Sequence, residues 1–300
     1  MKLDALVENA TQINGKVVAV AAAEDDEVIE AVQLAVKQQL ASFQLYGNET
    51  EIKSLLTKHG MERGESIKVF HANTKERSAE LAVKAVNSND ADILMKGNIS
   101  TSTILKAVLN KEYGLRTGSV LSHVAVFEVP GFERYTIVTD AAMNISPDLN
   151  EKAKIVQNAV KIAKSIGIQL PKVAPLAAVE VVNPAMPATL DAAALTQMQV
   201  RGQIQGCIID GPLALDNAVS LQAAEHKGIS GDVAGRADIL LVPTIEVGNV
   251  LYKSLIYFAK AKVGAIIAGA KAPIVLTSRA DTAESKLYSL ALAVCSASNK

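Results

Sequence analysis

Asp92-Ile93-Leu94-Met95-Lys96-Gly97-Asn98-Ile99-Ser100-Thr101-Ser102-Thr103 is the stretch on which the fold turns. A short apolar run stops at a lysine and a glycine, and a cluster of hydroxyl residues then opens a helical segment. A strand that hands over to a helix in this way is the repeating piece of a parallel α/β sheet, and polar residues at such a strand end lie on the ligand-bearing edge. Gly97 permits close backbone approach. Hydroxyls and backbone N–H groups at a helix start suit an anion. The spacing GxxxxGK[ST] is absent, so this is no P-loop. An over-supplied N-cap is the plainer alternative.

The same alternation runs back to the N-terminus. Strands are predicted at Lys16–Val20, Phe43–Tyr46 and Ser66–His71, with helices at Asp25–Leu40, Glu49–Lys58 and Thr74–Val86. Such repetition implies a parallel sheet with right-handed crossovers. Beyond the quoted stretch the pattern changes. Val120–Val129 and Tyr135–Thr139 flank Pro130-Gly131-Phe132-Glu133, which reads as a hairpin turn and marks the passage into a second domain. Alternation then resumes. Helices are expected at Leu149–Ile166, Leu190–Val200, Asp216–His226 and Ile245–Ala259, and strands at Ala177–Val182, Gly206–Ile209 and Ile239–Val242. The last strand and helix, Ile274–Ala297, return to the first domain. The expected domains are therefore 1–129 plus 274–300, and 130–273.

Composition supports this class. The 300 residues are 49% apolar and 4% aromatic, without tryptophan, a balance that suits buried parallel strands covered by helices. A formal net charge of -1 gives no case for nucleic acid, whose phosphates call for a basic excess. No apolar run approaches the roughly 18 residues of a membrane span. The first residues, MKLDALVENATQ, read as an amphipathic helix without a signal-peptide core. Cys207 and Cys295 form no CxxC pair, so neither a disulfide framework nor a zinc site is implied. A cytoplasmic location is expected.

Several other strand ends carry chemistry. Pro273–Leu287, PIVLTSRADTAESKL, places Thr277-Ser278-Arg279 between an apolar run and a helix. A hydroxyl and a planar guanidinium at a helix start match phosphate oxygens. Asp210-Gly211-Pro212 sets a carboxylate and a turn after a strand, with Asp216 one turn on. After Pro243, Glu246, Asn249 and Lys253 fall along one side of a helix, which is also how a solvated face reads. Gly231–Arg236 is a connecting or clamping loop. Ser122-His123 lies in the first hairpin strand, where a histidine is more often structural than catalytic. His59, His71 and His226 share no metal-ligand spacing. Neither GxSxG nor GxGxxG is present, against an α/β-hydrolase and a Rossmann dehydrogenase.

Taken in order, Lys96-Gly97-Asn98, Thr139–Asn144 with Pro147, Asp210–Asp216, Val233–Leu240, Val242-Pro243 onward to Lys253, and Leu276–Arg279 resemble the phosphate acyltransferases, over nearly the whole chain. The LMKGN and TSRAD forms lean toward the butyryl branch of that family. The resemblance implies reversible exchange of an acyl group between CoA and phosphate, most readily butyryl, in a homo-oligomer. It also implies a two-domain fold like the isocitrate/isopropylmalate dehydrogenases, with parallel and mixed sheets and a site in the interdomain cleft. It gives Ser278 and Arg279 the phosphate and Lys253 a part in catalysis. Family members with acetyl specificity place an Asp seven residues after that serine. Here the position is Ser285, and Asp281 and Glu284 are the nearby carboxylates, with the choice between them open. Substrate contacts are expected at Lys96, Asn98, Ser100, Thr101, Ser122, Asn144, Asp210, Asp216, Glu246 and Asn249. No cofactor or metal is called for, only acyl-CoA and phosphate as substrates, and no membrane partner. The alternatives are an acetyl preference, a fold-sharing dehydrogenase, which would need clustered aspartates, and an acyl-CoA sensor that has lost catalysis.

Overall fold

The strand-to-helix handovers read from the first hundred residues recur in the computed structural model, which describes residues 1–61, 66–276 and 282–297. The elements are α1 (Leu3–Thr11), β1 (Val17–Ala21), α2 (Asp26–Lys37), β2 (Ser42–Gly47), α3 (Glu49–Lys58), β3 (Ile67–His71), α4 (Lys75–Asn87), β4 (Ile93–Lys96) and α5 (Thr101–Val108). Helices α2 to α5 each begin where the sequence offers a polar cap. Asp25 accepts from Val28 N at 3.2 Å, Thr74 from Arg77 N at 3.1 Å, and Ser100 from Thr103 N at 3.1 Å. Such caps satisfy the unpaired donors of a first helical turn.

The chain forms two compact units. One is Leu3–Ser119 with Gly264–Lys300, and the other is Val120–Val263 with Met1–Lys2. The expected crossings at 129/130 and 273/274 lie ten residues further along the chain. They differ because the hairpin strand β5 (Ser122–Glu128) stays with its partner β6 (Thr136–Thr139), while residues 264–268 pair back into the first unit.

In the first unit the strands run β3-β2-β1-β4-β11-β10, with β10 (Lys262–Ala268) and β11 (Ile274–Val275) supplied by the later segment. Val18 pairs in parallel with both Phe43 and Ile93, and Ile274 with Leu94, whereas Ile267 opposes Ile274 antiparallel. The sheet is therefore mixed. The central strands β1, β4 and β11 are buried on both faces, which is why they read as apolar runs, whereas the edge strand β3 is largely exposed. Helix α11 (Ala283–Ala297) is buried along most of its length, from Lys286 to Ala297.

In the second unit the order is β5-β6-β9-β7-β8, where β7 is Lys172–Pro175, β8 Ile208–Ile209 and β9 Ile239–Leu241. Val126 opposes Ile137 antiparallel, and the remaining pairs are parallel. Helices α6 (Leu149–Ser165), α7 (Pro187–Val200), α8 (Leu215–Val219), α9 (Leu221–His226) and α10 (Ile245–Tyr257) complete it. Asp148 and Glu151 close a reciprocal capping box on α6.

Two sequence expectations need correction, and one strand lies where none was expected. The strand expected at Ala177–Val182 is irregular chain with Val181 and Val182 exposed. The true strand lies earlier, at Lys172–Pro175, where Val173 and Ala174 are wholly buried. The single helix expected at Asp216–His226 is two, because Ser220 turns out of α8 and its hydroxyl caps α9 at Ala223 N. Strand β10 was not anticipated, since Gly264 and Gly269 bracket its apolar residues and read as punctuation.

Candidate functional site

The quoted stretch builds the polar edge of the first unit. Gly97 N and Asn98 N donate to Ala21 O and Ala22 O at 2.8 and 2.7 Å, so the chain leaving β4 lies against the chain leaving β1. A Cβ on Gly97 would stand 2.2 Å from Ala22 O, which only glycine avoids. Ser78, buried in α4, stitches the same edge: it accepts from Ala22 N at 2.6 Å and donates to Tyr46 O at 2.8 Å. Sequence reading passed over Ser78 as one residue in a helix. Its only signal was a lone hydroxyl beside small apolar residues on the face that meets the sheet.

Lys96 and Asn98 are half-buried at this edge, and Ser100 and Thr101 are exposed at the start of α5. The Ser100 hydroxyl also lies 2.8 Å from the Ser102 and Thr103 hydroxyls. Four expected binding residues therefore converge on one strand end and one helix start, where the helix dipole is positive.

The closing motif cannot be placed with them. Ser278, Arg279 and Asp281 lie outside the described residues. Glu284 is exposed in the first turn of α11, with its carboxylate 2.8 Å from the Tyr288 hydroxyl, itself 2.6 Å from Asp4. These groups border a groove of about 560 Å³ between α1, α2 and α11, which holds none of the other expected site residues.

In the second unit the expected residues divide by role. Ser122 is fully buried and accepts from Asn158 Nδ2 at 2.9 Å, and Asn158 also donates to Val120 O. Asn144 is committed to Leu121 O and to Asp140 Oδ2, at 2.8 and 2.5 Å. The buried Asp140 carboxylate collects the backbone N–H groups of Ala142, Met143 and Asn144 at 2.9 to 3.1 Å. This is a nest around an anion supplied by the chain itself. Ser122 and Asn144 thus hold the turn after β6, and Asn158, which sequence reading missed, fastens Ser122.

His123 is buried beside this nest, and its Nδ1 has no hydrogen-bond partner. Burial holds its pKa below the usual histidine value, opposed by the Asp140 charge. Its ring meets Tyr252 of α10 edge-on at 5.6 Å, and Tyr252 meets Phe127 at 5.3 Å. Helix α10 is seated on these rings and on Gly248, where a Cβ would stand 2.6 Å from Asp140 O. Glu246, Asn249 and Lys253 follow at i, i+3 and i+7 along one exposed edge of that helix. Hydrogen bonds from its own backbone N–H, then from Thr244, hold the Glu246 carboxyl below the usual range.

Asp210 is half-buried after β8. Burial raises its pKa, countered by the Gly211 N–H and reinforced by the neighbouring Asp232 charge. Asp216 is exposed and faces Lys227 at 3.4 Å, which also bonds Glu180 at 2.8 Å. Among the described residues no group of three or more His, Cys, Asp or Glu is placed to hold a metal ion. None of the described helices is long and apolar enough to cross a membrane.

The phosphate acetyl/butaryl transferase family model matches residues 78–294, and the chain belongs to this family. It is 61% identical over 295 residues, 98% of each chain, to a Bacillus subtilis (strain 168) protein named "Probable phosphate butyryltransferase". It is 48% identical over 292 residues to a phosphate acetyltransferase of Thermotoga maritima, covering 97% of this chain and 98% of that one. Among solved structures, a branched-chain phosphotransacylase from Enterococcus faecalis V583 matches with a TM-score of 0.83 at 39% identity, over 94% of this chain and 99% of that one.

Proposed function

We propose that the chain is a phosphate acyltransferase that exchanges a short acyl group, butyryl first, between CoA and inorganic phosphate. The observation that carries this reading is the 61% identity along the whole chain to a protein named for phosphate butyryl transfer. Starting from acyl phosphate, the CoA thiol gives up its proton and attacks the acyl carbon. A tetrahedral oxyanion forms and collapses with loss of phosphate, leaving acyl-CoA. Direct transfer needs no protein nucleophile. The buried Cys207 and Cys295 thiols, which burial pushes up to about 11, suit that role poorly.

In this reading Ser278 and Arg279 hold the phosphoryl oxygens, and Lys253 on the exposed edge of α10 supports the developing negative charge. The start of α5, with Lys96, Asn98, Ser100 and Thr101, takes anionic or polar groups of CoA. Asp210, Asp216, Glu246 and Asn249 supply further polar contacts. Because Glu284 is engaged with Tyr288, we assign proton transfer to Asp281. The dehydrogenase-like two-domain arrangement with its site in an interdomain cleft belongs to the same proposal, supported by the family resemblance. So do a homo-oligomeric state and a cytoplasmic location. Cys207 and Cys295 form no disulfide, which fits a reducing compartment.

The test is CoA release from acetyl-, butyryl- and isobutyryl-CoA with phosphate. Four-carbon chains are expected to exceed acetyl about tenfold to a few hundredfold in kcat/KM, since methylenes in a dry pocket contribute roughly 0.8 kcal/mol each. Lys253→Ala is expected to lower turnover about ten- to a hundredfold. Equal efficiency with acetyl-CoA moves the chain to the acetyl branch, and no CoA release with any substrate overturns the reading.

A further inference from the structure

The strand order of the first unit reverses at β1: β2 and β3 lie on one side of it and β4 on the other. In a parallel sheet the chains leaving two such strands diverge, and ligands bind in the opening outside their carboxyl ends. The β4 side of this opening carries Lys96, Asn98 and the start of α5. The β1 side carries Glu24, which the proposed reaction leaves unused.

Three hydrogen bonds fix the turn that presents Glu24. Ser78 Oγ accepts from Ala22 N at 2.6 Å, Asn98 N donates to Ala22 O at 2.7 Å, and Ala23 N donates to Tyr46 O at 3.0 Å. They keep Ala22 at φ +54°, a left-handed conformation that residues other than glycine seldom adopt. Backbone held in this way clusters at ligand sites. On the other flank Asp25 caps α2. The Glu24 carboxylate lies over Gly47 at the end of β2, where a Cβ would overlap its Oε2 and press on Ile52. The residue is half-buried, yet Oε2 is shut off from water and has no hydrogen-bond partner among the described residues. A buried acceptor left unpaired is unfavourable, and native chains keep few of them.

We propose that Glu24 is a binding residue for CoA, accepting an N–H of that substrate at the switch between β1 and β4. The inference rests on the acyl-transfer reading above and adds a residue to which that reading gives no part. Chemistry selects the substrate. Inorganic phosphate, acyl phosphate and the phosphates of CoA are anions, which a carboxylate repels, and the acyl chain has no donor. The N–H donors in the reaction are the adenine amino group and the two pantetheine amides of CoA. A carboxylate accepts from either, in a charge-assisted bond stronger than a neutral one. Rotation of the side chain off Gly47 brings Oε2 out to meet the donor. The two sides of the opening then divide one substrate: the helix start after β4 takes its anionic groups, and Glu24 its N–H.

The test compares the unaltered protein with Glu24→Ala and Glu24→Gln by calorimetric titration with CoA, by CoA release from butyryl-CoA and phosphate, and by thermal melting. Glu24→Ala is expected to weaken CoA binding about ten- to a hundredfold and to raise KM for butyryl-CoA in step, with KM for phosphate unchanged. Its melting temperature should hold or rise, because an unpaired acceptor has gone. A glutamate with a purely structural part would lower the melting temperature and leave CoA affinity alone. Should Glu24→Ala fail to fold, Glu24→Gln has the same shape and carries the test, with a smaller loss of about threefold to tenfold. Butyryl-pantetheine separates the two donors: a penalty that persists on it assigns the amides, and one that vanishes assigns adenine. An unaltered protein that binds no CoA, or folded variants that bind it as tightly as before, overturn the inference. Normal CoA release by those variants would leave the acyl-transfer reading standing. Glu24-dependent CoA binding without CoA release would sink that reading and uphold Glu24 as a CoA contact.

Discussion

Helices α10 and α11 are both rich in apolar residues and similar in length, and they meet opposite fates. In α11 nearly every side chain from Lys286 onward is buried, packed by α1, α2 and the strands of its own unit. In α10 only Gly248 is buried, and a valine and aromatic stripe faces outward. Hydropathy measures how much a segment gains by leaving water. It does not say whether the surface that covers it belongs to the same chain. α11 finds its cover within its unit, and α10 carries a face that its unit leaves open.

The sharpest way to break this contrast is to truncate both helices. Leu290→Ala in α11 empties a fully buried site and is expected to cost about 2–5 kcal/mol. Val247→Ala in α10 is expected to stay within about 0.5 kcal/mol for the single chain, with any further loss depending on protein concentration. Urea unfolding at two protein concentrations measures both. Equal, concentration-independent losses would erase the difference between the helices.

A smaller effect is expected at the point where α10 touches down. Gly248→Val sets a side chain against Asp140 O and Ala141, and overpacking of this kind costs about 1–3 kcal/mol. The helix must lift, and Lys253 rides on it, so CoA release should fall along with the melting temperature. A variant with normal turnover would show that the position of α10 does not matter to the reaction.

The smallest effect concerns pH. His123 has a lowered pKa in the folded chain, chiefly from burial. Below the ordinary histidine value the unfolded chain therefore binds the proton more readily than the folded one. Stability from this residue is complete above about pH 6.5 and declines as the pH falls toward the lowered folded value. Melting temperatures at pH 7.5 and 5.5 should diverge less in His123→Gln than in the unaltered protein. An unchanged divergence would remove His123 from the acid response.

How much of this was legible beforehand follows from the reach of each signal. Helices α2 to α4 begin within a residue or two of their expected positions, because Asp25, Asn48 and Thr74 cap them locally. The hairpin of β5 and β6 announced itself through Pro130-Gly131. What failed depended on distant partners. The apolar valines at 181 and 182 look like a strand, but the place beside β9 goes to Val173 and Ala174. At the site, strand-end polar residues were found by type, but sequence did not show that Ser122 and Asn144 are hydrogen-bonded within the chain. Only the fold shows Asn158 reaching one and Asp140 the other. The three-sided character of α10 was half visible: the polar edge at 246, 249 and 253 could be read from spacing, but which of the remaining faces would be covered could not.

The place of β11 has a consequence for synthesis. It lies between β4 and β10 in the strand order of the first unit, yet it and α11 leave the ribosome only after all of Val120–Val263. At ~5–20 residues per second, β4 therefore waits on the order of ten seconds with one edge unpaired, the kind of edge on which chains aggregate. The intervening unit has its strands complete first, since they form an unbroken run of sequence. The nascent chain thus carries a finished second half before its first half can close. Ribosome pausing late in the message would prolong the interval in which newly made copies are most open to misassembly and to capture by chaperones.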